Sequence, residues 1–167
     1  MRKPFKFKQF DIYQEKAAMK VGTDGVLLGA WANVEAANRI LDIGTGTGLI
    51  ALMLAQRNEN APIIGVELDK NAYLQADENF EISKWKNRLT AVNHSIQYFS
   101  KNENGQFDLI VINPPFFLNS TKSNQQLKNQ PRHTDTLSFE DLIHSVVKLL
   151  SPKGKIWLVL PTAEGQI

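Results

Sequence analysis

The chain has 167 residues, enough for one domain with a hydrophobic core, and 43% of them are hydrophobic and 22% charged. No apolar run approaches the roughly 18 residues of a membrane-spanning helix, and the basic N-terminus lacks the apolar segment of a signal peptide. The absence of cysteine excludes disulfides and thiolate-bound zinc. We therefore expect a single cytoplasmic domain that involves no membrane.

The net charge is only +2, but the positive charges are concentrated in three windows without acidic residues, at 2–8, 82–102 and 119–134. Their cations are Arg2, Lys3, Lys6 and Lys8, then Lys84, Lys86, Arg88 and Lys101, then Lys122, Lys128 and Arg132. Such windows are either contacts for a phosphate backbone or ordinary solvated surface, and composition leaves both interpretations open.

The first thirty residues are predicted to form an extension packed on a core domain of residues 31–167. Phe5 and Phe7 alternate with lysines, which predicts a small edge strand. The sequence VGTDG at 21–25 indicates a loop with two glycines, after which residues 26–31 begin a helix.

Further along the chain, short apolar strands alternate with amphipathic helices. The predicted strands cover residues 39–43, 63–67, 89–93, 107–112 and 155–160, and the predicted helices cover 47–57, 70–83 and 139–150. A polar loop at 119–136 and a Ser-Pro-Lys-Gly turn at 151–154 interrupt the pattern. Apolar strands linked by helices predict an α/β fold, with a doubly wound, mostly parallel sheet covered by helices on both faces.

The first core strand leads into the glycine-rich turn LDIGTGTG at 41–48. Its G-x-G-x-G spacing differs from the G-x-G-x-x-G of dinucleotide sites, and no Gly-Lys-Ser/Thr follows as in a P-loop. A carboxylate at Asp42 would repel a pyrophosphate but suits the sulfonium and ammonium groups of S-adenosylmethionine. Glu67, at the end of the second strand, is placed to accept hydrogen bonds from ribose hydroxyls. Alone, each feature is also explained by a tight turn, a helix cap or a strand end; together they favour a methyltransferase cofactor site.

The strand at 107–112 delivers Asn113, Pro114, Pro115 and Phe116 to the carboxyl edge of the sheet, where doubly wound domains bind ligands. The adenine amino group is a poor nucleophile, and the Asn113 side-chain oxygen and Pro114 carbonyl can accept its two hydrogens. Its lone pair is then directed at a methyl carbon. Phe116 offers a face on which an extruded base can stack. The alternative is a Pro-Pro turn followed by a core phenylalanine.

These residues resemble motifs I and IV of the class I amino-methyltransferases, whose motif IV is [DNS]-P-P-[YFW]. The stretches AMKVGTDGVLLGAW at 18–31 and 41–56 are similar, almost residue for residue, to the bacterial tRNA1(Val) adenine-37 N6-methyltransferases. The resemblance implies a Rossmann-like fold, S-adenosylmethionine as cofactor and, as target, the adenosine beside the anticodon of a tRNA. A monomer is favoured, although no residue pattern decides the oligomeric state.

The resemblance also assigns individual positions to the cofactor, the base and the sheet. It implies that the cofactor's carboxylate end is lined by Lys20, Gly22, Thr23 and Asp24, and the rest by Asp42, Gly44, Gly46 and Glu67. It places Asn113, Pro114, Pro115 and Phe116 at the target base. Ser95 stands where such enzymes carry an acid that contacts the cofactor's adenine. Family members continue into an antiparallel hairpin, which we expect this chain to lack. No metal site is expected, because the three histidines lack ligand spacing.

Motif IV occurs in methyltransferases with different substrates, so it does not determine which group this chain methylates, and three alternative functions stay open. A guanine-N2 methyltransferase acting on ribosomal RNA also uses Asn-Pro-Pro-Phe. A protein-glutamine N5-methyltransferase prefers tyrosine at the position of Phe116. A non-enzymatic RNA-binding module with a vestigial cofactor pocket is the third alternative.

Overall fold

The computed structural model describes residues 3–114 and 138–160. The chain begins with a short antiparallel hairpin of β1 (Phe5–Lys6) and β2 (Asp11–Ile12). Helix α1 (Thr23–Trp31) follows the hairpin. The prediction of a loop at 21–25 is therefore wrong for residues 23–25, which are helical. Gly25 lies inside this helix, and Leu49 Cδ2 is 3.5 Å from where its Cβ would stand.

The rest of the chain alternates strands and helices. The elements are β3 (Ile40–Ile43), α2 (Leu49–Arg57), β4 (Ile63–Glu67), α3 (Lys70–Glu81), β5 (Leu89–Asn93), α4 (Ile96–Asn102), β6 (Phe107–Ile112), α5 (Phe139–Leu149) and β7 (Leu150–Leu158). The strands pair in parallel in the order β5-β4-β3-β6-β7. The predicted doubly wound α/β fold is therefore confirmed, with the chain reversing its direction of winding between β3 and β6.

Both faces of this sheet are covered by helices. Because neighbouring residues of a strand point to opposite faces, Ile40 packs with α1 and α2, whereas Leu41 packs with Leu142 and Val146 of α5. Ile12 of the hairpin belongs to the first of these two clusters. None of the helices in the described residues is long and apolar enough to cross a membrane.

Two parts of the predicted pattern differ from the structure. Strand β7 begins at Leu150 and runs through the predicted Ser-Pro-Lys-Gly turn. Its pairing with β6 is irregular between Phe107 and Leu109, and a proline is tolerated at such an irregularity because one ladder hydrogen bond is already lost. Helix α4 was not predicted at all, although Ser95 caps it by accepting a hydrogen bond from the Tyr98 N–H at 3.2 Å.

Candidate cofactor and base site

The described site residues that follow or end β3, β4 and β6 lie together at the carboxyl edge of the sheet, where the winding reverses. Ile43 and Ile112 are register partners on β3 and β6, so the glycine turn and Asn113 leave the sheet side by side. Val66 pairs with Ile43 on the other side, which brings Glu67 to the same edge. Ligands of doubly wound domains bind in the crevice at this point of the topology.

The glycine turn has a backbone shape that only glycine adopts readily. Gly44, Gly46 and Gly48 have φ angles of 71°, 58° and 81°. A Cβ on Gly44 would meet no heavy atom within 4 Å, and one on Gly46 would meet only the Gly44 carbonyl oxygen, at 3.9 Å. Both glycines therefore border open space that a ligand can enter. Gly48 is different, because its Cβ would lie 2.5 Å from the Phe80 ring.

Asp42 lies beneath this turn and is fully buried. Its Oδ2 accepts hydrogen bonds from the Thr45 hydroxyl at 2.7 Å and from the Ala51 N–H at 3.2 Å, while Oδ1 has no partner among the described residues. Burial raises the pKa of Asp42 to about 7, against the lowering effect of those two hydrogen bonds, and the charge of Glu67 adds to the rise. A cationic ligand above the turn would compensate such a carboxylate.

Glu67 connects the end of β4 to the glycine turn. Its Oε2 accepts a hydrogen bond from the Gly46 N–H at 2.9 Å, and its Oε1 accepts one from the Asp69 N–H at 2.9 Å. Each carboxylate oxygen has a second lone pair, so both can still accept a bond from a hydroxyl. The half-buried carboxylate is therefore fixed in place and suited to a ribose diol.

Residues 13–21, which we call the strap, lead along α3 to the beginning of α1. The Lys20 ammonium donates to the Ala17 carbonyl at 2.8 Å and to the carbonyl of Gln14, so it stabilises the strap itself. Gly22 is extended, and after it Thr23 and Asp24 lie exposed in the first turn of α1. Gly22, Thr23 and Asp24 are therefore accessible to a ligand. The Lys20 ammonium is instead hydrogen-bonded within the strap.

Two buried amide side chains of α3 hold the strap, and the sequence analysis missed both. The Asn79 amide donates to the carbonyls of Tyr13 and Thr47, both at 2.8 Å, and its oxygen accepts from the Tyr13 N–H at 3.0 Å. The Gln75 oxygen accepts from the Lys16 N–H at 3.1 Å. In the sequence, the only indication of this role is that Gln75 and Asn79 are four residues apart and so lie on one face of the predicted helix. Asn79 therefore joins the strap to the glycine turn.

Asn113 is half-buried beside the amino end of α1. A Cβ on Gly25 would lie 3.6 Å from its Nδ2, so the first turn of α1 borders the Asn113 side chain. Pro114 is buried, whereas Pro115 and Phe116 lie outside the described residues. Gly25 is a third residue that the sequence analysis did not assign to the site.

The side of the site near β5 carries Ser95 and Asn93. The Ser95 hydroxyl accepts the capping bond of α4, and its own hydrogen remains able to bond a ligand. The Asn93 amide donates to the carbonyls of Glu67 at 2.8 Å and Leu68 at 3.0 Å, which ties the ends of β4 and β5 together. Within residues 3–114 and 138–160, no group of three or more acidic or histidine side chains could hold a metal ion.

The strand order, the glycine turn and the acids at the ends of β3 and β4 define the methyltransferase class of Rossmann-like domains. A SAM-dependent methyltransferase from Agrobacterium tumefaciens has the same fold, with a TM-score of 0.69 at 19% identity over 94% of this chain and 51% of that one. TrmN from Thermus thermophilus gives a TM-score of 0.60 at 22% identity over 81% of this chain and 37% of that one.

Sequence relatives narrow the class to a family. The family model for the methyltransferase small domain matches residues 16–165. A tRNA1(Val) (adenine(37)-N6)-methyltransferase of Parabacteroides distasonis is 53% identical over 94% of this chain and 66% of its own length. One of Trichodesmium erythraeum is 52% identical over 96% of this chain and 68% of its own length. The chain therefore spans about two thirds of these curated relatives.

The chain belongs to the methyltransferase small domain family, together with these tRNA1(Val) (adenine(37)-N6)-methyltransferases. The resemblance in the sequence is thereby confirmed, and so is S-adenosylmethionine as the cofactor. The open space over Gly44 and the unpartnered Oδ1 of Asp42 fit a cationic nucleoside cofactor at this edge.

Proposed function

We propose that the chain methylates the N6 amine of an adenosine in tRNA, as the names of its relatives state for them, and that this adenosine is the one beside the anticodon. One observation carries the proposal. Asn113 directly follows β6 and lies next to the glycine turn. The amide that would orient the amine and the turn that would bind the cofactor are therefore at the same edge of the sheet.

S-adenosylmethionine, when bound, supplies an electrophilic methyl group on its sulfonium. We assign the ribose to Glu67 and the adenine side to the Ser95 hydroxyl. The amino-acid end is assigned to Lys20, Gly22, Thr23 and Asp24. Asp42 contributes its negative charge from beneath the turn. These assignments rest on the open space over Gly44 and on the fixed carboxylate of Glu67.

The remaining residues orient the target amine. The Asn113 side-chain oxygen and the Pro114 carbonyl accept the two amine hydrogens, which fixes the direction of the nitrogen lone pair. Neither oxygen is a strong base, so the rate gain comes from orientation and preorganised dipoles rather than from early proton removal. Phe116 is proposed as the face on which the extruded adenine stacks.

The decisive experiment incubates the chain with methyl-labelled cofactor, total RNA and protein, and then locates the label by mass spectrometry of nucleosides, ribonuclease fragments and protein. We expect label in N6-methyladenosine beside the anticodon. Label in N2-methylguanosine would replace the proposal with the guanine alternative, and label only in protein would favour glutamine methylation. If the chain bound the cofactor but transferred no methyl group to RNA or protein, the alternative of a non-enzymatic RNA-binding module would be favoured.

The Asn113→Ala variant tests the role of the amide. It is expected to lose turnover by at least a hundredfold while S-adenosylmethionine affinity stays within about twofold, because the residue is proposed to contact the base alone. The matched control is Asn104→Ala, an exposed asparagine between α4 and β6, which should retain full activity. Full turnover in Asn113→Ala would overturn the proposed role.

A further inference from the structure

Two of the positive windows in the sequence meet on the surface of the folded chain. The hairpin of β1 and β2 packs against the segment between α3 and β5. The Lys84 ammonium donates to the Gln9 side-chain oxygen at 2.7 Å, and the rings of Phe10 and Trp85 are 5.8 Å apart. Residues 75 positions apart in the sequence thus form one continuous surface.

The charge of this surface is strongly positive. Its cations, which we call the basic patch, are Lys3, Lys6, Lys8, Lys84, Lys86 and Arg88. The five lysines are exposed, and segments 3–10 and 82–88 contain no acid. Two acids line the adjoining grooves: Asp11, whose carboxylate is 3.9 Å from the Lys6 ammonium, and Glu59. The excess of positive charge is complementary to a polyanion.

The part of the patch that contains Lys8, Lys84 and Arg88 is also concave and partly aromatic. Two open grooves of about 490 and 450 Å³ lie side by side and share Gln9 and Lys84. Trp85 lines the first groove, and the Phe7 and Phe10 rings, stacked at 4.7 Å, line the second. Cations around a polar groove with aromatic walls are the usual components of a nucleic-acid backbone site.

We propose that the basic patch docks the phosphate backbone of a stem of the substrate RNA, at a distance from the methylation site. This inference rests on the proposed function. Helix α3 begins beside Glu67 and its twelve residues end next to the patch. Its length is about 18 Å at 1.5 Å per residue. At the B-form duplex spacing of about 3.4 Å per base pair, this length corresponds to about five base pairs.

The test is a charge reversal of two lysines, Lys8→Glu with Lys86→Glu, neither of which forms an ion pair within the described residues. We would measure binding of an unmodified valine tRNA transcript at several salt concentrations. The affinity at low salt should fall at least tenfold, and the slope of log affinity against log salt should decrease by about two, one for each lost phosphate contact. S-adenosylmethionine affinity and melting temperature should be unchanged.

The matched control is Lys153→Glu with Lys155→Glu, which reverses two exposed lysines on β7 at the other end of the sheet. It should change RNA affinity by less than threefold. Equal affinities in the patch variant and the wild type would overturn the docking surface, as would equal losses in the two double variants. If the wild type bound tRNA through the patch but transferred no methyl group, the proposed function would fail while the docking surface stood.

If the charge reversal lowered the melting temperature, the milder Lys8→Gln with Lys86→Gln would replace it. This pair removes the charges without introducing acids, and a smaller loss of RNA affinity, about threefold to tenfold, is expected. Unchanged RNA affinity in this variant would equally overturn the docking surface.

Discussion

Gly44 and Gly48 share a left-handed backbone but have different surroundings, and alanine at each should have a different effect. At Gly48 the new Cβ would collide with Phe80 in addition to the backbone strain, so we expect a loss of about 2–4 kcal/mol in the free energy of unfolding. At Gly44 only the strain applies, about 1–2 kcal/mol, but the Cβ would enter the proposed cofactor space. Urea denaturation and calorimetric titration separate the two effects. Equal cofactor affinity in Gly44→Ala and wild type would contradict the placement of the cofactor.

Asp42 predicts a pH dependence of cofactor binding. Its pKa is raised from 3.8 to about 7 in the folded chain, so the carboxylate is protonated below pH 7 and ionised above it. A cationic ligand binds the ionised form better, and affinity for S-adenosylmethionine should therefore increase as pH rises from 6 to 8. Asp42→Asn should weaken binding and flatten this profile. An unchanged profile in Asp42→Asn would show that another group titrates.

The raised pKa of Asp42 should also make the free energy of unfolding of the cofactor-free chain depend on pH, but in the opposite direction to cofactor affinity. Between pH 4 and pH 7 the folded state holds a proton on Asp42 that the unfolded state has released. The contribution of this residue to the free energy of unfolding therefore decreases as pH rises through that interval. Denaturation curves of wild type and Asp42→Asn should diverge accordingly, with the variant losing less stability toward pH 8.

At the scale of elements, the connection between α3 and the strap can be tested through Asn79. Asn79→Ala leaves the buried polar groups of Tyr13 and Thr47 without their partner, and about 2–3 kcal/mol of stability should be lost. Because the strap leads to residues 20–24, KM for S-adenosylmethionine should rise more than kcat falls. Asn102→Ala, on the exposed surface of α4, is the control. A purely structural role of Asn79 would lower stability and leave KM unchanged.

Much of the sheet could be predicted because most of its strands are short segments rich in apolar residues. The segments at 63–67, 89–93 and 107–112 are strands with the predicted bounds. Helix α4 was missed because its seven residues are too few to show helical periodicity and Tyr98 is exposed. The start of β7 was missed because Pro152 and Gly154 normally mark turns, and only the pairing with β6 makes this irregular segment part of a strand.

The site could be predicted only where chemistry constrains a short motif. Asp42, Glu67 and Asn113 follow from the chemistry of a cationic cofactor and an amine, and the structure places all three at one edge of the sheet. Gln75 and Asn79 could not be assigned, because polar residues on an amphipathic helix usually face solvent. They are buried by the path of the strap, which depends on tertiary packing. Gly25 was assigned to a loop because glycine usually interrupts a helix, whereas here it lies inside α1.

At the scale of the whole molecule, the cofactor should stabilise the fold. A ligand that binds only the folded state adds about 2.7 kcal/mol at a concentration of 100 times its Kd. We expect this gain for the wild type with S-adenosylmethionine and a much smaller one for Glu67→Ala at the same concentration. Glu81→Ala, an exposed acid at the far end of α3, should behave as the wild type. Thermal unfolding with and without cofactor measures the gain, and equal gains in all three chains would argue against Glu67.

The two bonds of Glu67 to the Gly46 and Asp69 amides have a kinetic consequence. The loops on either side of the carboxylate are already joined without a ligand, so the conformational entropy of ordering them is lost during folding rather than at binding. The cofactor therefore binds to a preformed site in which these loops need not rearrange. Association should follow a single exponential whose rate is proportional to cofactor concentration, and differences in affinity among variants at this edge should arise from the dissociation rate.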